Sequence, residues 1–321
     1  MTEHGAALLD RPERPRRPRR SRRLPPPRAR GLPAGLLRTA RPRQWVKNLL
    51  VAAAPAAAGQ LDSLANLARL ALLFALFTAA AGAVYLVNDA RDAEADRAHP
   101  SKCRRPVAAG EVSPAAAYTT GGLLAALAVL GAATLCNTLT GVLIVGYLAL
   151  QLAYCVRLKH VLVVDMAVVT TGFLTRAMIG GVALGIPLSR WFLITTGFGA
   201  LFMVAAKRYS EAVRMADGKG ETRALLTEYT TGYLRFVWQL AAGVAVLGYC
   251  LWALEAEAAG AGWMPWRQLS MIAFILAVLR YAVFADRGTA GEPEEVVLRD
   301  RPLAVIGLVW AAMYACAVAG L

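Results

Sequence analysis

The residue types best suited to chemistry lie in one acidic segment, residues 88–96. On a helix, Asn88, Asp89, Asp92 and Asp96 fall within about 100° of one another and share one face. Carboxylates crowded at this spacing repel one another, and a divalent cation would relieve that repulsion. Hard oxygen donors with an amide suit Mg²⁺, which commonly joins carboxylates to substrate phosphates. The spacing predicts a Mg²⁺ site formed by Asn88, Asp92 and Asp96. The alternative is a solvated acidic run at a membrane boundary.

A basic loop follows this acidic face directly. It carries Lys102 and Arg105, and two prolines and a glycine restrict its conformation. Lys and Arg side chains could hold phosphate oxygens while the carboxylates hold a metal. We therefore predict that Asp92, Asp96 and Lys102 are catalytic. Asn88, Lys102 and Arg105 are candidate substrate-binding residues.

A second charged segment begins at Lys207 and continues through Arg208, Tyr209 and Glu211. Lys207 and Glu211 are four residues apart, so an ion pair at a helix end is the ordinary interpretation. In the alternative interpretation, Lys207 and Arg208 bind a substrate phosphate. All four residues are candidate substrate contacts.

Three more candidates lie in or beside apolar stretches, where ionisable groups are costly and usually face a polar cavity. Arg176 is about 16 Å from Asp165 on the same helix face, so these two side chains cannot pair directly. Arg176 could line a substrate cavity or be buried structurally against other helices. Lys47 could bind phosphate or extend to the membrane interface. Tyr154 could contact substrate, or anchor its helix by an interhelical or interfacial contact.

These candidates must be positioned by an all-α integral membrane fold. Hydrophobic residues make up 57% of the 321 residues and charged residues only 17%, which argues against a soluble enzyme. Nine apolar stretches recur along the chain, which predicts nine transmembrane helices across roughly 30 Å of hydrocarbon. The first and sixth are short for this, so we expect them to be kinked, tilted or extended into the flanking segments. The approximate bounds of the nine stretches are 45–60, 65–87, 114–135, 139–156, 161–184, 191–206, 232–254, 267–284 and 303–320.

The basic residues are distributed unevenly between the two sides of this predicted bundle. Of the 35 Lys and Arg residues, 29 lie in the N-terminal segment or in the predicted loops 88–113, 157–160, 207–231 and 285–302. Basic residues in short loops stay on the cytoplasmic side. We therefore predict a multi-pass protein of the plasma (inner) membrane with a cytoplasmic N-terminus, whose acidic segment and second charged segment both face the cytoplasm.

The chain divides at about residue 37. Residues 1–37 are rich in Arg and Pro and lack the apolar surface needed to fold, so we expect a disordered cytoplasmic tail. Residues 38–321 then form the transmembrane catalytic domain. Of the net charge of +14, the first 47 residues contribute +11. A basic head on a nearly neutral apolar body fits contact with anionic lipid better than nucleic-acid binding.

Other classes of site are excluded by the spacing of the relevant residues. The five cysteines are scattered, so they indicate neither a disulfide framework nor a zinc site. Walker glycine loops and nucleophile elbows are absent, which argues against an NTPase or a hydrolase. The pair Gly180-Gly181 predicts close helix packing, and His99 predicts a hydrogen bond within its loop.

The segment from Asn88 to Gly110 reads NDxxDxxxDxxHPxKxxRPxAxG and resembles the first Asp-rich motif of the UbiA superfamily of intramembrane prenyltransferases, which have nine helices. Most members carry a second DxxxD motif where this chain has KRYSE, at residues 207–211. Together with RPRQWVKN at residues 41–48, this departure resembles the phosphoribosyl branch of the superfamily. The resemblance covers about residues 38–320.

This resemblance implies a Mg²⁺-dependent transfer of 5-phosphoribose from 5-phosphoribosyl 1-diphosphate to a polyprenyl phosphate such as decaprenyl phosphate, for cell-wall arabinan synthesis. It also allows a homo-oligomer. Two alternatives stay open. An aromatic prenyltransferase would use a polyprenyl diphosphate donor, although KRYSE in place of DxxxD argues against it. A lipid carrier without chemistry would share the predicted spans but would not need clustered Mg²⁺ ligands.

Overall fold

The computed structural model describes residues 31–216, 224–255, 264–291, 296–297 and 299–319, and throughout this part the regular secondary structure is helical. A 3₁₀ helix covers Pro42–Ala52, and shorter 3₁₀ turns cover Lys102–Arg104, Leu158–His160 and Ala224–Thr227. The α-helices are α1 Leu32–Thr39, α2 Ala53–Ala57, α3 Leu64–Arg91, α4 Ala93–Ala98, α5 Pro114–Leu135, α6 Thr138–Val156, α7 Val164–Ala183, α8 Arg190–Ala216, α9 Thr231–Glu255, α10 Trp266–Asp286 and α11 Arg301–Ala319.

Seven of these helices are long and apolar enough to cross a membrane, namely α3, α5, α6, α7, α9, α10 and α11. Their outward faces are apolar: Leu123 is 72% exposed, Leu130 64% and Leu308 71%. Soluble proteins rarely leave such continuous apolar surface in water. The all-α integral membrane class is therefore confirmed, whereas the count of nine spans stays a prediction.

The first predicted span is not one regular α-helix. Residues 45–60 begin inside the 3₁₀ helix and continue into the short α2, which contains Pro55. This segment packs tightly on α7, because a Cβ atom placed on Gly180 would overlap the carbonyl oxygen of Val51. The sixth predicted span lies in α8, whose last turns carry the second charged segment.

The last residues of the predicted tail, 1–37, overlap a helix. Residues 1–30 of the predicted tail lie outside the described residues, but Leu32–Thr39 are helical and docked on the loop before α5. Arg38 forms a 2.7 Å ion pair with Glu111. A Cβ on Gly35 would lie 2.7 Å from Val112 Cγ2, so the helix approaches this loop closely. These contacts supply the packing that composition alone did not reveal.

Two apolar clusters hold the bundle together. One joins α3, α5, α6 and α7 around Phe77 and Ile179, and the other joins α8, α9 and α10 around Phe202 and Trp238. Helix α7 contributes side chains to both clusters and therefore packs against both groups of helices. At the opposite ends of the chain, the Tyr314 hydroxyl in α11 donates a 2.9 Å hydrogen bond to the carbonyl oxygen that ends α2.

Candidate active site

The acidic segment lies where α3 meets α4. Helix α3 ends at Arg91, and Asp92 forms the joint with φ −88° and ψ 6°. The Asp92 amide donates to the Asn88 carbonyl at 2.9 Å, and the Asp96 amide donates to the Asp92 carbonyl at 2.8 Å. The helical path is therefore nearly continuous, as the spacing predicts. The change of direction at Asp92 gives the carboxylates different partners.

Asp89 and Asp96 face the basic loop. Arg105 Nη1 lies 2.7 Å from Asp96 Oδ2 and 3.3 Å from Asp89 Oδ1. Arg41 Nη2 lies 2.7 Å from the same Asp89 oxygen, and its guanidinium stacks 4.6 Å from the Tyr85 ring centroid. The two carboxylates are almost completely buried, so water cannot solvate them there. The positive charges of the two arginines compensate their negative charges instead.

Asp92 faces the turn after α6. Its Oδ2 lies 3.1 Å from Lys159 Nζ, and both side chains are about one-quarter exposed. Arg91 donates hydrogen bonds to the carbonyl oxygens of Cys155 and Val156, which fixes the end of α3 to the end of α6. The only signal for Lys159 in the sequence is its place in a short basic turn, so it was not among the predicted site residues.

The loop that follows α4 brings Lys102 to the same end of the bundle. The Nδ1 atom of His99 accepts hydrogen bonds from the backbone amides of Ser101 and Lys102 at 3.3 and 3.4 Å, which confirms its predicted role in the loop. Among the described residues, no side chain pairs with the half-buried Lys102 ammonium. The Asn88 amide donates to Asp89 Oδ1 at 3.4 Å.

Arg208 lies in a second buried cluster. Its Nη1 is 3.1 Å from Glu211 Oε2 and its Nε is 3.4 Å from Asp165 Oδ2. Burial lowers the pKa of Arg208, but the negative charges of Glu211 and Asp165 raise it, and the pKa lies above its ordinary value. The guanidinium therefore stays charged at every physiological pH.

Tyr229, which precedes α9, completes this cluster. Its hydroxyl donates to Asp165 Oδ1 at 2.7 Å and accepts from the Val163 amide at 2.6 Å. Burial and the bond to Asp165 together raise the pKa of Tyr229 far above its usual range. The phenol is therefore a permanent donor to Asp165. The sequence carries no signal for Tyr229, because a loop tyrosine is common at membrane interfaces.

The other residues of the second charged segment face different neighbours. Tyr209 is buried and accepts a 2.6 Å hydrogen bond from Arg235 Nη2 of α9, which also lies over its ring. Lys207 is partly buried and has contacts of its own. Glu211 accepts a hydrogen bond from Arg208, so its carboxylate belongs to the Arg208 cluster and is not an independent substrate contact.

Arg176 is fully engaged inside the bundle. Its Nε donates to Asn48 Oδ1 at 2.9 Å, Nη1 to the Gly172 carbonyl at 2.8 Å, and Nη2 to the Tyr147 hydroxyl at 2.8 Å. Its guanidinium also lies 5.1 Å from the ring centroids of both Phe77 and Tyr147. Direct pairing with Asp165 is absent within the described chain, as predicted. Its hydrogen-bond partners are shared with neither the acidic segment nor the buried Arg208 cluster.

The structure thus places both charged segments at one end of the bundle, here called the loop end, defined by the ends of α3, α6 and α8. Helix α6 connects the two: Tyr154 lies within electrostatic range of Arg208, and the next carbonyl, that of Cys155, accepts from Arg91. Lys47 lies on the 3₁₀ helix, next to the Asn48 that accepts a hydrogen bond from Arg176.

The acidic segment can be tested as a metal site by its donor chemistry. Within the described ranges, no three Asp, Glu, His or Cys side chains are gathered closely enough to hold a metal alone. Mg²⁺ typically uses one or two carboxylates and completes its shell with water and substrate phosphates. Asp92 pairs with Lys159 and Asp96 with Arg105, so a cation would have to compete with these two bases. The two carboxylates and the Asn88 amide are nevertheless donors of the type that such an incomplete protein shell uses.

A helical membrane bundle with an Asp-rich segment and basic loops at one end is the architecture of an intramembrane transferase. Residues 49–299 match the model of the UbiA prenyltransferase family, and the chain belongs to that family. A UbiA homologue from Archaeoglobus fulgidus bound to DMAPP and Mg²⁺ superposes with a TM-score of 0.66 at 18% identity, covering 88% of this chain and 98% of that one.

Two relatives are much closer in sequence. Decaprenyl-phosphate phosphoribosyltransferase from Mycobacterium tuberculosis is 50% identical over 293 residues, covering 90% of this chain and 95% of the relative. The protein of the same name from Corynebacterium glutamicum is 42% identical over 322 residues, covering 97% of this chain and 96% of the relative.

Proposed function

We propose that the protein transfers 5-phosphoribose from 5-phosphoribosyl 1-diphosphate to decaprenyl phosphate or a similar polyprenyl phosphate. The observation that carries this proposal is the 50% identity to a decaprenyl-phosphate phosphoribosyltransferase over 90% of the chain. The loop end supports it, because acidic and basic side chains meet there in the arrangement that a diphosphate substrate requires. The product would serve cell-wall arabinan synthesis.

We further propose nine membrane spans in the plasma membrane, counting the 3₁₀ helix with α2 and the first part of α8. The N-terminus and the loop end would face the cytoplasm, since the predicted loops there carry most of the basic residues. A water-soluble sugar donor would then enter from the cytoplasm while the acceptor lipid stays in the bilayer. A homo-oligomer is compatible with this arrangement and is testable by native mass spectrometry.

Asn88, Asp92 and Asp96 would hold Mg²⁺, which when bound neutralises the diphosphate leaving group. The donors for the phosphate oxygens would come from Lys102, Arg105 and the newly found Lys159. Lys102 has no competing partner among the described residues. Arg105 is preorganised by its bonds to two carboxylates. Donors held in place in this way cost little reorganisation when charge develops on the diphosphate.

The transfer itself needs little proton chemistry. The bond from ribose C1 to the diphosphate oxygen breaks, the diphosphate leaves with the electron pair, and C1 bonds to an oxygen of the acceptor phosphate. That phosphate is already ionised at neutral pH, so the chain needs to orient it rather than deprotonate it. Arg208 is suited to this task because it stays charged, with Lys207 beside it, Glu211 holding it and Tyr209 and Tyr154 adjoining.

The experiment is a transfer assay with purified protein, Mg²⁺, decaprenyl phosphate and 5-phosphoribosyl 1-diphosphate labelled in the ribose. We expect label in the organic phase, abolished by EDTA and restored by Mg²⁺. An Asp92→Asn variant should lose most turnover. Label that enters the lipid without Mg²⁺ would contradict the metal assignment.

The same assay separates the competing functions. Transfer from a polyprenyl diphosphate to an aromatic acceptor, with no phosphoribosyl transfer, would indicate an aromatic prenyltransferase. Movement of lipid between vesicles with neither reaction would indicate a carrier. Thermal unfolding and lipid binding of the same preparation provide the control that the protein is folded.

A further inference from the structure

The buried hydroxyl of Tyr229 connects parts of the Arg208 cluster that are far apart in the chain. It donates a 2.7 Å hydrogen bond to Asp165 Oδ1 and accepts a 2.6 Å hydrogen bond from the Val163 amide. The other oxygen of Asp165, Oδ2, lies 3.4 Å from Arg208 Nε. A series of contacts therefore runs from the segment before α9, through the start of α7, to the guanidinium on α8.

The backbone at Val163 is strained. This residue has φ +68° and ψ −45°, and the Val164 amide donates a 2.8 Å hydrogen bond to the Leu162 carbonyl oxygen. These values describe the rare, strained form of the γ-turn, which a β-branched side chain disfavours further. Such a conformation persists only where the surrounding structure holds it. The hydrogen bond from the Val163 amide to Tyr229 holds this turn, and Asp165 follows two residues later.

Tyr229 is itself held by a rigid element. The hydroxyl of Thr230 caps α9, because its Oγ1 accepts a 3.1 Å hydrogen bond from the Tyr233 amide. The rings of Tyr229 and Tyr233 stack with their centroids 5.7 Å apart and their planes at 11°. Tyr229 also belongs to the apolar cluster of α8, α9 and α10. Its hydroxyl therefore has a fixed position from which it can orient Asp165.

The Arg208 guanidinium is contacted by a carboxylate at two of its three nitrogens. Asp165 approaches Nε, and Glu211 Oε2 accepts a 3.1 Å hydrogen bond from Nη1. The third nitrogen, Nη2, makes no hydrogen bond within the part of the chain that the structure describes. A guanidinium held in this way presents its remaining donor in a defined direction, as binding of a phosphate oxygen requires. That direction depends on Asp165, whose position depends on Tyr229.

We propose that Tyr229 is a positioning residue for the acceptor: through Asp165 it orients the Arg208 guanidinium toward the phosphate of the polyprenyl phosphate. The assignment rests on the proposed function, in which Arg208 binds that phosphate. Without the Tyr229 hydroxyl, Asp165 loses a fixed donor and can turn away from Arg208. The acceptor then binds less tightly, whereas the sugar donor, which is held at the acidic segment, is unaffected.

The test compares Tyr229→Phe with Tyr233→Phe in the full-length protein. Both substitutions keep an aromatic ring and remove one hydroxyl, but Tyr233 is exposed and its hydroxyl makes no hydrogen bond within the described chain. Initial rates are measured while decaprenyl phosphate and 5-phosphoribosyl 1-diphosphate are varied separately. We expect Tyr229→Phe to raise the KM for decaprenyl phosphate about fivefold and to leave the KM for the sugar donor unchanged. Tyr233→Phe should match the unmodified protein in both.

A double-mutant cycle tests whether Tyr229 acts through Asp165. Asp165→Asn keeps an oxygen that can accept from the Tyr229 hydroxyl, but it removes the negative charge that faces Arg208. We therefore expect Asp165→Asn to raise the same KM and Tyr229→Phe to add little to that increase. Independent effects, in which the two KM increases multiply, would overturn the assignment.

A purely structural role of Tyr229 predicts a different result. Loss of folded protein lowers the rate per total protein and leaves both KM values unchanged, so that outcome would overturn the proposal. Equal increases of both KM values would also overturn it. Should Tyr229→Phe fail to fold, Val163→Gly is added, because glycine adopts φ +68° without strain. The folded double variant should still have a raised KM for decaprenyl phosphate relative to Val163→Gly alone.

A separate measurement distinguishes failure of this proposal from failure of the proposed function. Absence of phosphoribosyl transfer by the unmodified protein would contradict the proposed function. Native mass spectrometry with decaprenyl phosphate then tests the positioning role by itself, and Tyr229→Phe should bind this lipid more weakly than Tyr233→Phe. Equal binding by the two variants would overturn the role of Tyr229, whether or not the unmodified protein transfers phosphoribose.

Discussion

Arg105 contacts two carboxylates, those of Asp89 and Asp96, whose side chains are almost completely buried. Removing one partner of a buried ion pair is costly because the other charge is left without compensation. Lys159 differs, since it and Asp92 are both partly exposed and water can replace either partner. Arg105 should therefore affect stability and activity together, whereas Lys159 should affect activity alone.

Arg105→Gln is expected to destabilise the fold by about 1–3 kcal/mol, because Asp89 and Asp96 lose their shared donor. Thermal unfolding in detergent measures the change. Arg104→Gln is the matched control: Arg104 is exposed, one residue away and without an ion-pair partner among the described residues. Equal unfolding temperatures for the two variants would contradict the assigned role of Arg105.

Lys159→Met is expected to change stability by less than about 1 kcal/mol, since the pair with Asp92 is partly exposed. Phosphoribosyl transfer should fall at least about tenfold if Lys159 donates to the diphosphate. Arg157→Met in the same turn removes an exposed charge without a partner in the described structure and should retain activity. A Lys159→Met variant as active as that control would exclude Lys159 from the site.

Arg176→Lys distinguishes the two interpretations of this intramembrane arginine. A lysine cannot make the three directed bonds to Asn48, Gly172 and Tyr147, so we expect a loss of about 2 kcal/mol of stability with little change in KM of the remaining folded enzyme. Unfolding and initial-rate measurements are made on one preparation. A raised KM with an unchanged unfolding temperature would instead support direct substrate binding.

At the scale of elements, the 3₁₀ helix and α7 approach closely at Gly180. The structure leaves no room for a side chain there, because a Cβ would meet the backbone oxygen of Val51, which cannot rotate away. The same contact positions Asn48 beside Arg176. The hydrogen bond between Arg176 and Asn48 therefore depends on the close approach of these two elements.

Gly180→Ala is expected to lower the unfolding temperature strongly and to reduce the folded yield, since the 3₁₀ helix must move off α7. Gly146→Ala in α6 is the control, because no atom lies within 4 Å of its added Cβ. That control should change stability by no more than about 1 kcal/mol. Equal behaviour of the two variants in size-exclusion and thermal assays would contradict the packing argument.

At the scale of the whole molecule, the charged loop end and the apolar outward faces define how the bundle sits in a bilayer. Gln60 precedes α3 and Glu94 follows it, so these two exposed residues lie at opposite ends of the helix. Because the basic loops indicate the cytoplasmic side, Gln60 is expected outside and Glu94 inside.

Single cysteines at these positions test the topology in a background in which the five native cysteines are replaced. Gln60→Cys should react with a membrane-impermeant maleimide on intact cells, whereas Glu94→Cys should react only after permeabilisation. Retained transfer activity is the control for folding. The reverse labelling pattern would invert the proposed orientation.

The sequence alone determined the helical membrane class and the position of most of the long apolar helices. The predicted stretch 114–135 coincides with α5, and 139–156 differs from α6 by one residue. The close packing at Gly180 and the loop hydrogen bonds of His99 were likewise predicted correctly. These features are local: apolar length, helical periodicity and the chemistry of single residues specify them without knowledge of neighbours.

Only the tertiary structure decided which charged groups meet. Arg41 and Asp89 are 48 residues apart, Asp165 and Tyr229 are 64 apart, and Lys159 and Asp92 are 67 apart. Arg176 finds Asn48 across 128 residues. Helical periodicity specifies the face on which a residue lies, but the order in which helices pack specifies the facing partner. Burial then requires each carboxylate or guanidinium to be paired where the bundle closes around it.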